Sequence, residues 1–94
     1  MRRLLPALAV ALLLAGDLSV RAAESFRVEG LPRDDSLTIR EAPDAAAPAL
    51  GQIPAGRRVL GFGCTNETPS GLTWCRVRFD GTLGWARRRY LTPD

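Results

Sequence analysis

Beyond residue 23, turn-forming residues interrupt this chain so often that no segment sustains a helical period. Gly30-Leu31-Pro32, Pro43 to Pro48, Pro54-Ala55-Gly56, Asn66 to Gly71 and Asp80-Gly81 leave only short runs between them. Runs of about three to eight residues suit strands and are too short for stable helices. The runs are Phe26–Val28, Leu37–Arg40, Leu50–Ile53, Val59–Cys64, Trp74–Phe79 and Thr82–Ala86. Several alternate in polarity, as a strand with one buried face must. Leu37 and Ile39 fall on one face of their run. Cys75, Val77 and Phe79 share one face of theirs, with Trp74, Arg76 and Arg78 on the other. Asp80-Gly81 is a preferred two-residue hairpin turn. Five or six strands at short intervals predict an all-β fold, and the length is below the roughly 100 residues of an immunoglobulin-type sandwich, so a small barrel is expected.

The first 22 residues follow a different plan. Met1-Arg2-Arg3 is basic, Leu4–Ala15 is an apolar run of twelve residues, and Gly16-Asp17 breaks it. Val20-Arg21-Ala22 then offers short side chains where a signal peptidase reads. The pattern is that of a secretory signal peptide over residues 1–22, cleaved after Ala22. The apolar run is shorter than the roughly 20 residues of a membrane span, so no stable span is expected in the mature protein. A domain over residues 23–94, in the periplasm or outside the cell, is the expectation.

A domain of this size buries only about 60% of its unfolded-chain surface, so its core is marginal. Small exported domains often add a covalent staple. Cys64 and Cys75 are the two cysteines of the chain, export would favour their oxidation, and only one pairing is possible. They are read as a structural disulfide tying two strands across a long loop. A redox-active pair would sit closer together, at a helix start.

The residue inventory excludes most chemistry. The chain has no His, and all 13 of its basic residues are Arg. Ser25, Ser36, Ser70 and Cys64 therefore lack a His base, and two cysteines without His cannot close a four-ligand zinc site. Asp34-Asp35 and the Glu41/Asp44 pair read as turn chemistry rather than as the paired carboxylates of a glycosidase. No catalytic residue, cofactor or metal is expected. From Ala23 onward ten Arg face nine acids, a balance too even for nucleic-acid binding driven by bulk charge.

Five blocks in order resemble the bacterial SH3 (SH3b-type) domain: Leu37-Thr38-Ile39-Arg40-Glu41-Ala42-Pro43-Asp44; Leu50-Gly51-Gln52-Ile53-Pro54-Ala55-Gly56; Trp74-Cys75-Arg76-Val77-Arg78; Gly81-Thr82-Leu83-Gly84-Trp85-Ala86; and Tyr90-Leu91. Thr38 stands where Asn is usual, Asp44 where Ser is usual, and an insert separates Cys64 from Trp74. The resemblance implies a small, strongly bent SH3-like barrel of five to six strands. It also implies a non-catalytic module that recognises a peptide, peptidoglycan or another envelope protein; a monomer is expected, although edge strands of a partly open barrel could pair.

Gly84 inside a strand predicts close approach of another backbone or a large ring, with Trp85 in the core. Trp74, out of phase with Val77, is expected on the outer face or under a loop. There it either forms a peptide-binding platform with Tyr90 or merely covers the barrel's open end. Charge is uneven: residues 24–50 hold six acids and three Arg, residues 51–94 seven Arg and three acids. Arg76 and Arg78 share an outer face, which is either a solvated surface or a basic stripe for an acidic partner. Trp74, Tyr90, Arg76 and Arg78 are the candidate ligand-binding residues. The alternative function is a small periplasmic protein that docks on or inhibits a partner protein through this Arg-rich face.

Overall fold

A computed structural model describes residues 23–94; the signal peptide expected over residues 1–22 lies outside them. The described chain is all-β, with strands β1 Glu24–Val28, β2 Ser36–Arg40, β3 Ala49–Pro54, β4 Arg58–Thr65, β5 Trp74–Phe79, β6 Thr82–Arg87 and β7 Leu91–Pro93. A single 3₁₀ turn, Arg88–Tyr90, links β6 to β7. Among the described residues no helix is long and apolar enough to cross a membrane. The strands form one antiparallel sheet in the order β3-β2-β6-β5-β4-β1-β7. The seventh strand exceeds the five or six expected. It has only three residues and contains Pro93, which is tolerated there because β7 is an edge strand pairing on one side with β1.

Alternation decides what enters the core. Phe26 and Val28 of β1, Leu37 and Ile39 of β2, Ile53 of β3, Val59 of β4, Cys75 and Val77 of β5, Ala86 of β6 and Leu91 of β7 meet in one buried cluster. The two edge strands, β3 and β7, thus contribute to the same core, which requires the sheet to roll up on itself as in an SH3-like barrel. Gly84 makes one part of that bend possible. A Cβ at this position would lie 2.6 Å from both the Arg40 carbonyl oxygen and the Ile39 Cγ2. That is the close backbone approach expected for this glycine, at the one register pair that joins β2 to β6, Arg40 opposite Trp85.

The turns follow their residues. Asp80 and Gly81 both have positive φ, 52° and 82°, and Phe79 pairs with Thr82 across them. Positive φ at both central residues is the turn whose twist matches a β-hairpin. Cys64 and Cys75 face each other in register on β4 and β5 and are joined by a disulfide, as expected. The loop beyond the disulfide is held by its own polar groups. The Thr68 hydroxyl donates to the Leu72 carbonyl at 2.8 Å, and the Gly71 N–H donates to the Thr68 carbonyl at 3.0 Å.

Candidate functional site

The arginines are organised by the aromatic rings. All six aromatic residues of the chain carry a guanidinium within 6 Å of the ring centroid: Arg88 over Phe26, Arg78 over Phe62, Arg87 over Trp74, Arg57 over Phe79, Arg76 over Trp85 and Arg89 over Tyr90. A planar guanidinium stacks on a ring as an ammonium does not, and each contact is worth about 0.5–1 kcal/mol at an exposed site. The use of Arg alone, with no Lys, thus has a structural correlate.

Trp74 lies outside the main core cluster as its phase predicts, but covered rather than open, and Trp85 departs from its expected place in the core. Trp74 is only 2% exposed, so an open indole platform is not present. Phase places its side chain away from the main cluster, and it is not a member of that cluster. Arg87 lies over its ring, 5.8 Å from the centroid, and it walls a groove with Leu31, Leu37, Tyr90 and others. These are long-range neighbours from the β1–β2 connection, β2 and the 3₁₀ turn, invisible to local alternation. Trp85, expected in the core, is half-buried and also outside the cluster. Here the small residues Gly84 and Ala86 take the inward positions, so strand parity sends the larger ring outward.

The four candidate residues therefore fall on two surfaces. Trp74 and Tyr90 come together in a groove of about 250 Å³, lined also by Thr38 and Arg40 of β2, Ala45 of the β2–β3 loop, and Arg87. Two of its lining residues hold buried donors, Trp74 Nε1 and Arg87 Nε, with no hydrogen-bond partner among the described residues. Buried donors normally find acceptors. The half-buried Tyr90 is placed by its own backbone, whose carbonyl accepts from the Glu29 N–H at 2.9 Å. Sequence reading missed Arg87 and Leu31 in this groove, because no local pattern joins them.

Arg76 and Arg78 stand elsewhere, on the outward face of β5. Arg76 pairs across to Trp85, while Arg78 lies between Leu60 of β4 and Leu83 of β6. A cavity of about 420 Å³ opens beside Arg78, between Arg57, Arg58 and Phe79. Leu60 and Phe62 belong to this face too. The alternation of Val59-Leu60-Gly61-Phe62 was the signal that could have found them.

Neither surface gathers the groups of a reaction centre. Among the described residues no cluster of three or more His, Cys, Asp or Glu could hold a metal, and both cysteines are consumed by the disulfide. What the surfaces offer is shape, aromatic area and guanidinium groups. Neither the curated proteins nor the solved structures give a match. The family model of the bacterial SH3 domain, however, matches residues 35–92, from just before β2 into β7. Domains of this kind are generally binding modules rather than enzymes. With its seven-stranded sheet and the five sequence blocks in place, this chain belongs to the bacterial SH3 domain family.

Proposed function

We propose that this is an exported binding module, in the periplasm or outside the cell, whose Trp74–Tyr90 groove takes a peptide or a cell-wall-associated partner such as peptidoglycan. The observation that carries this reading is a groove in which the half-buried Tyr90 meets Trp74, Arg87 and Arg40. A peptide brings a carbonyl acceptor at every residue, and a half-buried tyrosine beside an indole supplies apolar area with little rotamer entropy to lose. Export is supported by the disulfide, since such bonds persist in oxidising compartments, together with the leader pattern of residues 1–22.

Co-sedimentation with purified peptidoglycan tests the reading. The wild type is retained, and Tyr90→Ala loses at least about tenfold in apparent affinity, equivalent to about 1.4 kcal/mol, while its circular dichroism spectrum stays that of a folded β protein. The backbone contact from Glu29 to the residue 90 carbonyl does not need the phenol ring, so the alanine variant keeps its turn. Failure of the wild type to sediment refutes wall binding.

A further inference from the structure

We infer that the outward face of β4, β5 and β6 is a second binding surface, whose occupant is an acidic segment of a partner protein with carboxylates flanking an apolar side chain. The argument starts from parity. Leu60, Phe62, Arg76, Arg78, Leu83 and Trp85 all point away from the core. Leu60 and Phe62 are 44% exposed and Leu83 is 37% exposed. Single exposed hydrophobic residues are ordinary, but contiguous ones mark contact sites. These are contiguous by register, for Leu60, Arg78 and Leu83 form one row across three strands, and Arg76 and Trp85 begin the next.

The strands of this face, β4, β5 and β6, carry arginine and no acid. Among the described residues the ion pairs are Arg27 and Arg58 with Asp94, which leaves Arg76 and Arg78 without a carboxylate. Each instead lies over a ring, Arg76 on Trp85 at 5.8 Å and Arg78 on Phe62 at 5.4 Å. Arg and aromatic residues, with Lys, Asp and Glu absent, make up the composition that concentrates binding energy at protein interfaces. The adjoining cavity of about 420 Å³ has Val59, Leu60 and Phe79 in its lining and arginines at its rim, with Asp80 as its one acid. It suits an apolar side chain whose neighbouring carboxylates reach Arg76 and Arg78.

Charge complementarity selects the occupant. A second copy of this face would set guanidinium against guanidinium. A lipid headgroup layer supplies negative charge but no fixed spacing of carboxylate and apolar side chain to match the row of Leu60, Arg78 and Leu83. The surface shares no lining residue with the Trp74–Tyr90 groove, so it stands or falls separately from wall binding.

The test uses the purified, oxidised protein and three probes: a peptide repeating Glu-Leu-Glu-Phe, its analogue with Gln for Glu, and phosphatidylglycerol vesicles. The acidic peptide is expected to shift the amide resonances of Arg76, Arg78, Leu83 and Trp85. Its affinity falls at least about tenfold on raising salt to about 0.5 M, through screening, and at least about tenfold in Arg76→Gln/Arg78→Gln. If that variant does not fold, the comparison of the Glu and Gln peptides on the wild type decides. Absence of binding overturns the inference, as does equal affinity for the Gln analogue, shifts confined to the Trp74–Tyr90 groove, or vesicle binding without peptide binding.

Discussion

Cys64→Ser is expected to destabilise the domain by about 2–5 kcal/mol, the usual cost of removing a native disulfide from a small exported domain. Cys64 is exposed and Cys75 is fully buried, so this substitution leaves the core packing intact and acts on the unfolded chain. Closing a loop with a sequence separation of 11 restricts that chain by about 3 kcal/mol in the loop-entropy treatment. In a domain of this size about 3 kcal/mol lowers the melting midpoint by more than 10 °C. The effect should extend to the groove, because the disulfide pins the start of β5 and Trp74 is the adjacent residue, paired to Thr65. Thermal unfolding of oxidised protein, reduced protein and Cys64→Ser checks this. The two altered forms should melt together, well below the oxidised one. A difference below about 1 kcal/mol would mean that the Thr68 contacts to Leu72 and Gly71 suffice to hold the hairpin.

Trp74 is the second sensitive point, and it separates stability from binding. Trp74→Ala removes a buried indole and should cost about 3–5 kcal/mol, a large part of the 5–15 kcal/mol typical of a whole domain. Trp74→Phe should cost much less, about 1–2 kcal/mol. The volume lost is small, and the substitution also deletes a buried N–H that has no acceptor among the described residues, a group that itself carries a penalty of about 1–3 kcal/mol. If that donor serves a ligand in the groove, Trp74→Phe stays folded yet binds at least about tenfold more weakly. Urea unfolding together with co-sedimentation reads both quantities. A Phe variant as unstable as the Ala variant would show that the indole edge packs in a way the phenyl ring cannot replace.

Much of the fold was legible because it rests on local rules. Asp80-Gly81 announces a hairpin, the alternation around Val77 announces a half-buried strand, and Gly84 inside a strand announces the backbone of Arg40 pressing on it. The disulfide followed from count and expected compartment alone. The site was less legible, because a groove is made by segments distant in the chain. Alternation places Trp74 away from Val77 but cannot tell that Arg87 and the groove walls close over it. Trp85 was legible in principle, since Gly84 and Ala86 leave room inside only for small groups. The close approach predicted at Gly84 suggested a core position for its neighbour, and parity prevailed. β7 escaped notice because three residues with a proline carry almost no strand signal until β1 is present to pair with them.

The arginines show how one residue type serves two ends. Arg87, Arg88 and Arg89 sit on Trp74, Phe26 and Tyr90, and Arg87 also lines the groove. Arg76 and Arg78 sit on Trp85 and Phe62 and face outward. Arg88 also donates to the Leu91 carbonyl, whereas Arg76 and Arg78 have no carboxylate partner among the described residues and keep N–H groups for one. Such pre-positioned donors lose less side-chain freedom when a partner arrives.

The most direct measurement is an amide chemical-shift map of the oxidised protein titrated with soluble fragments of purified peptidoglycan. Saturable shifts at Leu31, Thr38, Ala45 and Tyr90, abolished by Tyr90→Ala, are the result predicted for a groove-binding module. No shifts at saturating fragment, or shifts that bypass these residues altogether, would contradict it.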